Sequence, residues 1–186
     1  MNPHIGLALR FATITASLPA FAQSNGILDE AKIGVFDHDV GIFGSKIENG
    51  VQINGEVLFA SPGIFKIIGS PRPTLGIAGN TAGKTSYAYA DLTWTAMLWR
   101  NLFQPRDGAY AGGFLGGAIH DGNLSQTSNG KKALGTRGLY HVGIESGYQM
   151  TSTYSVEAYF AHLSNAGAGA HNAGINDIGI RAGFKF

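Results

Sequence analysis

Cysteine is absent from the chain, which excludes disulfide bonds and every catalytic or metal site that needs a thiolate. Charged residues are also scarce, at 13% of the sequence, which is about half of the roughly 25% typical of soluble domains. The formal net charge of +1 gives no support for nucleic-acid binding. The 28 glycines follow no strict period, so a collagen-like fold is excluded as well.

The N-terminal segment has the features of a secretory signal. Arg10 supplies a positive charge, a mostly apolar stretch follows it, and Ala22 ends a small-x-small cleavage site. We therefore expect a signal peptide at residues 1–22 and one mature domain at residues 23–186. An ordinary N-terminal helix is the alternative, but Pro19 does not suit helix continuation. After this segment the sequence contains no run of 18 or more apolar residues, so no membrane-spanning helix is predicted.

The mature part instead contains repeated segments of about ten residues in which apolar and polar residues alternate between turns. The predicted strands are residues 31–39, 50–60, 72–80, 85–99, 110–120, 137–150, 152–164 and 175–186. Eight such strands predict an all-β fold, an eight-stranded antiparallel transmembrane β-barrel. A soluble periplasmic β protein that binds a ligand is the alternative.

The last predicted strand separates apolar and charged residues onto two faces. Ile180 and Phe184 share one parity, whereas Arg181 and Lys185 share the other. The chain ends on Phe186, and a terminal aromatic residue resembles the C-terminal signature of bacterial outer-membrane barrels. The inward charges expected to pair across the lumen are those of Arg181, Lys185, Glu145, His141 and Glu157. A barrel requires Val156, Phe160, Ile180 and Phe184 to be exposed, whereas a sandwich would bury them.

The seventh predicted strand carries polar residues on its apolar face. His162 and Ser164 have the parity of Phe160, so they face lipid near the outer rim. A Ser and a His on one face are the minimum for a nucleophile and its base. Asn176 has outward parity on the neighbouring strand and is able to orient the imidazole. The same pattern is also typical of rim residues without catalytic function.

Other polar residues are expected to have ordinary roles in loops. His120 lies at the end of a predicted strand and is expected at a strand–loop junction. Lys131, Lys132 and His171 are expected in solvated outer loops.

The C-terminal segment AHLSNAGAGAHNAGINDIGIRAGFKF, residues 161–186, resembles the outer-membrane lipid A 3-O-deacylase family, also called acyloxyacyl hydrolases. The family has a His-x-Ser-Asn motif on its penultimate strand, then a Gly-containing loop and a final strand that ends in an aromatic residue. The segments SYAYADLTW, residues 86–94, and GGAIHDG, residues 116–122, are also similar to family members.

The resemblance implies an outer-membrane serine esterase that removes the 3-O-linked acyl chain from lipid A of lipopolysaccharide. By the matching positions, Ser164 is the nucleophile and His162 is the base. The candidates for the oxyanion hole, which would stabilise the charge on the ester carbonyl oxygen, are Asn165, Asn172 and the backbone N–H groups of Ala166 and Gly167. No metal or cofactor is expected.

The sequence departs from the family at the third position of the triad. Characterised members carry a Glu where this chain has Asn176. An Asn is able to orient a His, but it does not stabilise imidazolium by charge. Asp177 is adjacent but has inward parity, so it would reach His162 only through a β-bulge.

The expected partner is lipid A in the outer leaflet around the membrane-embedded chain, and no nucleic acid is expected. A homodimer is compatible with the sequence. The alternative function is that of a non-enzymatic small outer-membrane barrel with an envelope-structural or surface-contact role.

Overall fold

The alternating segments form strands in the computed structural model, which describes residues 26–126 and 128–186. The strands are β1 (Leu28–Asp37), β2 (Val51–Phe59), β3 (Arg72–Asn80), β4 (Tyr87–Arg100), β5 (Gly108–His120), β6 (Gly138–Gln149), β7 (Tyr154–Ser164) and β8 (Ile175–Lys185). Each strand pairs antiparallel with the next, and β1 pairs with β8, so the sheet is a closed barrel. The predicted fold class is therefore confirmed. The expected signal peptide lies outside the described residues.

The predicted strand ends differ from the observed ends by a few residues. The first strand ends at Asp37 and not at Asp39, because Asp39 adopts a left-handed conformation with φ 54°. A short 3-10 helix, Gly63–Ile68, lies between β2 and β3. No helix in the described ranges is long and apolar enough to cross a membrane.

The barrel exterior is apolar. Val156, Ile180 and Phe184 are exposed by 40%, 59% and 40%, as a barrel requires. Phe160 is only half-buried instead of fully exposed, since the Phe43 ring packs against it with ring centroids 6.1 Å apart. Such a surface is costly in water and suits hydrocarbon, where closure also gives every strand a hydrogen-bonding neighbour. A sandwich core made of these residues is excluded.

The lumen is filled by ionic and aromatic side chains. The Arg181 guanidinium contacts Glu157 at 2.5 Å, Glu145 at 2.6 Å and Glu56 at 2.8 Å. The Lys32 ammonium lies 3.0 Å from both Glu145 and Glu157. These five residues form the lumen cluster, and the predicted pairing of Arg181 with Glu145 and Glu157 is confirmed.

Two residues expected in that pairing have other partners. His141 Nδ1 lies 2.8 Å from Asp91 Oδ2, and Lys185 donates to Gln149 Oε1 at 2.5 Å. Both contacts still join different strands inside the barrel, so the inward parity of the two residues is confirmed.

Three of the four longest connections lie at one end of the barrel, and the fourth, residues 60–71, lies at the other. Residues 38–50, 121–137 and 165–174 join strands at the end where β7 finishes with Ser164. At the opposite end the turn between β6 and β7 spans only residues 150–153. Outer-membrane barrels have short periplasmic turns and longer outer loops. We therefore call the Ser164 end the outer end.

The lumen cluster predicts a large cost for removing its central cation. Arg181→Met leaves buried carboxylates with only Lys32 to compensate them, and we expect a loss of about 3–5 kcal/mol in the free energy of unfolding. Urea titration of the folded barrel, read by tryptophan fluorescence, measures this. The matched control is Lys46→Met, which removes an exposed ion pair with Asp37 and is expected to cost at most about 1 kcal/mol. Equal losses for the two variants would contradict the role assigned to Arg181.

Candidate active site

Strand register places the polar pair on the outer wall of the barrel. In the pairing of β7 with β8, His162 lies opposite Asn176. In the pairing of β6 with β7, Tyr140 lies opposite Ser164 and Val142 lies opposite His162. Residues opposite each other in an antiparallel pair share a face. The site therefore has polar groups from β7 and β8 and apolar side chains from β6.

His162 is held through its Nδ1 atom. Asn176 Oδ1 lies 2.8 Å from His162 Nδ1, and Asn176 Nδ2 donates to the backbone carbonyl oxygen of Phe43 at 3.3 Å. A carbonyl oxygen only accepts hydrogen bonds, so the amide nitrogen faces Phe43 and the amide oxygen faces the imidazole. This hydrogen bond requires a proton on His162 Nδ1, so in the neutral imidazole Nε2 is the acceptor.

Asn176 has the predicted outward parity but is fully buried. The β1–β2 loop lies over it and brings Phe43 to the imidazole, with ring centroids 5.7 Å apart in an edge-on arrangement. Sequence reasoning missed Phe43, because a loop residue has no periodicity to mark it. It also missed the approach of Tyr140 to Ser164, since alternation gives the face of Tyr140 but not its register.

Ser164 ends β7 and is half-buried. Residues two apart on a strand face the same way with Cα atoms about 7 Å apart. Within the described ranges no hydrogen bond joins Ser164 to His162. The two side chains share a face of β7 without a hydrogen bond between them.

The residues after Ser164 form a tight turn held by Asn165. The buried Asn165 amide donates to the Leu134 and His171 carbonyls at 2.9 and 2.6 Å, and its Oδ1 accepts the Gly167 N–H at 2.8 Å. The Asn165 N–H donates to Asn172 Oδ1 at 3.0 Å. Two of the four candidate oxyanion groups are thus engaged within the turn.

The remaining candidate donors are differently placed. Ala166 is exposed, and its backbone lies in the left-handed region with φ 51°. Among the hydrogen bonds of the described residues, none uses the Ala166 N–H or the Asn172 side-chain nitrogen. These two N–H groups are able to donate to a substrate oxygen without breaking the turn.

Asp177 does not contact His162. The register of β7 and β8 is continuous at this point, so the bulge considered from the sequence is absent here. Asp177 points inward, where its carboxylate contacts His38 Nδ1 at 2.9 Å, the Tyr87 hydroxyl at 2.7 Å and the Asp39 N–H at 3.1 Å.

The expectation of a solvated Lys132 is wrong. Its side chain is buried, and its ammonium contacts Asp39 Oδ1 at 2.5 Å and the Gly174 carbonyl at 2.7 Å. The cause is that two other outer loops bring acceptors to its ammonium, namely the Asp39 carboxylate and the carbonyls of Ala173 and Gly174. We call His38, Asp39, Glu48, Lys132 and Asp177 the outer cluster.

The other loop expectations hold in part. Lys131 is half-buried and lies 3.5 Å from Asp121, whereas His171 is exposed as predicted. His120 is at a strand–loop junction as predicted, with Nε2 2.7 Å from the Thr136 carbonyl. In the part of the chain that the structure describes, no three His, Asp or Glu side chains converge as metal ligands.

His38 lies between two carboxylates, with Nε2 3.0 Å from Glu48 and Nδ1 2.9 Å from Asp177. Burial acts to lower the pKa of His38, but the hydrogen bonds to Asp177 and Glu48 outweigh it and raise the pKa to about 9. Burial acts to raise the pKa of Glu48, but hydrogen bonds from His38, Lys132 and Thr85 outweigh it and lower the pKa to about 2. His38 and Glu48 are therefore both ionised at neutral pH.

The closed barrel, the apolar wall and the polar pair at the outer rim define an outer-membrane β-barrel with a candidate hydrolase site. The sequence model described as lipid A 3-O-deacylase (PagL) matches residues 76–185. This match spans more than half of the chain, and the chain belongs to that family.

Two solved structures share the fold. The crystal structure of the outer membrane enzyme PagL has a TM-score of 0.61 at 15% identity, and the alignment covers 83% of this chain and 97% of that chain. The N-terminal β-barrel domain of Pseudomonas aeruginosa OprF has a TM-score of 0.53 at 13% identity, with coverage of 85% and 98%. Among curated proteins, none matches the sequence.

The environment of His38 predicts a pH dependence of stability. Its pKa rises from 6.5 to about 9 on folding, so its stabilising contribution is complete below the lower value and is lost as the pH rises through the higher one. The thermal unfolding midpoint should fall across this window. His38→Gln should abolish the fall in that window, since Gln does not titrate. Identical pH profiles for the two proteins would contradict the assignment.

Proposed function

We propose that this protein is a serine esterase that hydrolyses the 3-O-linked acyl ester of lipid A, with Ser164 as nucleophile and His162 as base. The observation that carries the proposal is the hydrogen bond from His162 Nδ1 to Asn176 Oδ1. This hydrogen bond orients the imidazole and leaves Nε2 free to take a proton. His162 lies on the lipid-facing wall, two residues before Ser164. Membership of the lipid A 3-O-deacylase family supports the same chemistry.

The position of the pair suits an ester within a membrane. Lipid A carries its acyl esters where the sugar headgroup meets the hydrocarbon, which is the depth of an outer barrel rim. Tyr140 and Val142 flank the pair on β6, and Phe43 contacts the imidazole from the β1–β2 loop. These apolar side chains offer a surface for the acyl chain, while the polar turn after Ser164 faces the headgroup.

The proposed reaction is acyl transfer in two halves. Ser164 Oγ attacks the ester carbonyl carbon while His162 Nε2 takes the hydroxyl proton. The Ala166 N–H and the Asn172 side-chain nitrogen donate to the oxyanion of the tetrahedral intermediate. The intermediate collapses, and the sugar hydroxyl leaves with the proton from His162. Water then attacks the acyl-enzyme by the same route and releases the fatty acid.

Asn176 has a defined but limited part in this mechanism. Its oxygen fixes the imidazole tautomer and orientation, but a neutral amide does not stabilise the imidazolium that forms during attack. A carboxylate here would face the Phe43 carbonyl oxygen with no hydrogen to share, so the loop packing suits an amide. Every residue of the proposed site comes from one chain, so the proposal does not require a homodimer.

The nucleophile is tested by the lipid A of cells that express the full chain. Wild type should remove one hydroxyacyl chain from lipid A that carries a 3-O-acyl group, and Ser164→Ala should not, because the attacking hydroxyl is absent. Mass spectrometry of extracted lipid A measures this. A heat-modifiable gel shift checks that both barrels are folded. Identical lipid A from the two folded proteins would favour the non-enzymatic alternative.

The orienting role of Asn176 is tested by Asn176→Leu, which keeps the approximate volume and removes both hydrogen bonds. We expect kcat to fall by about 10²–10⁴, because the base loses its fixed tautomer. The matched control is Ile180→Leu, an exposed residue on the same face of β8. Purified proteins acting on lipid A in mixed micelles give the rates. An Asn176→Leu rate equal to that of the control would contradict the role.

A further inference from the structure

We propose that Lys132 is a positioning residue for the esterase reaction, because its buried ammonium holds together the loops that place Asn176 and Phe43 around His162. This inference rests on the proposed function of Ser164 and His162. Lys132 lies on the β5–β6 loop and touches none of the reacting groups. It would act through the two neighbouring loops.

The first tether runs to the segment before β8. The Lys132 ammonium donates to the Gly174 carbonyl at 2.7 Å and to the Ala173 carbonyl at 3.4 Å. Gly174 comes two residues before Asn176, at the point where the chain enters the strand. Holding this carbonyl therefore sets the entry of β8 and the position of the amide that contacts His162.

Gly174 also lies directly against the imidazole. A Cβ atom at this position would be 3.2 Å from His162 Cε1 and 3.9 Å from Nε2. Its φ of 58° is in the left-handed region, which favours glycine. The segment that Lys132 holds thus packs on the edge of the ring that carries the catalytic nitrogen.

The second tether runs to the loop that carries Phe43. The ammonium contacts Asp39 Oδ1 at 2.5 Å, and Asp39 Oδ2 accepts the N–H groups of Ile47 and Glu48 at 2.8 and 3.0 Å. Asp39 therefore closes the loop on both sides of Phe43. Because the Phe43 carbonyl orients the Asn176 amide, this tether acts on the same hydrogen bond as the first.

Two backbone N–H groups form further links among these segments. The Val40 N–H donates to the Asn176 carbonyl at 2.8 Å, and the Lys132 N–H donates to Glu48 Oε1 at 2.6 Å. An apolar side chain would fill the same buried volume. It would not direct oxygens from two other loops to one point, as an ammonium with three donors does.

The test compares Lys132→Met with Lys131→Met in the full-length barrel. Lys131 is the neighbour on the same loop, and its ion pair is with Asp121. We expect Lys132→Met to lower kcat at least about 10-fold with KM nearly unchanged, because a small displacement of a catalytic group is costly. Lys131→Met should keep wild-type kcat. Wild-type kcat in Lys132→Met, or a change confined to KM, would overturn the proposal.

A second variant separates positioning from charge compensation. Lys132→Met alone leaves the Asp39 carboxylate buried without its cation, which could disturb the whole outer end. Lys132→Met/Asp39→Asn removes that charge while an amide oxygen remains for the Ile47 and Glu48 N–H groups. We expect the double variant to give the folded gel shift and to keep the low kcat. Recovery of wild-type kcat would show that Lys132 only compensates charge.

The tautomer of His162, measured by NMR, separates a positioning role of Lys132 from a general loss of stability. The imidazole nitrogen chemical shifts of His162, assigned by comparison with His162→Asn, should show protonated Nδ1 and bare Nε2 in wild type. Lys132→Met should show a mixture of tautomers, because Asn176 is no longer held. An unchanged single tautomer would overturn the inference. If wild type and Ser164→Ala are both inactive, the proposed function itself fails, which is a separate outcome.

Discussion

The constraint on which this structure depends is that hydrocarbon provides no partner for backbone N–H and C=O groups. Pairing of β1 with β8 closes the sheet and satisfies them. Closure then divides most strand side chains into an inner and an outer set by alternation. The exposed residue Val156 shares the parity of His162 and Ser164 on β7, so closure places both of these residues on the outer wall.

The closed barrel contains two buried clusters of charged residues, one in the lumen and one at the outer end. In the lumen, Arg181 and Lys32 face three glutamates from three other strands. At the outer end, His38 and Lys132 face carboxylates from the β1–β2 loop and from β8. The lumen cluster joins strands and stabilises the barrel as a whole. The outer cluster joins loops, and loops are where side chains are positioned for chemistry.

The site combines a rigid wall with loops that are held in place. His162 and Ser164 lie on a paired strand, which holds their positions more precisely than a loop would. The orienting amide of Asn176 is covered by the β1–β2 loop, so its direction depends on the Phe43 carbonyl. The amide at position 176 is thereby linked to a loop more than a hundred residues away in the chain.

The sequence by itself determined the fold class, the eight strands and the face on which each residue lies, because alternation is a local property with a period of two. It also carried the motif His162-x-Ser164 by resemblance. Only the tertiary structure decided that no bulge turns Asp177 toward His162, that Lys132 is buried and that Phe43 covers Asn176. These contacts join segments far apart in the chain, and strand register and loop packing decide them. No local sequence pattern determines strand register or loop packing.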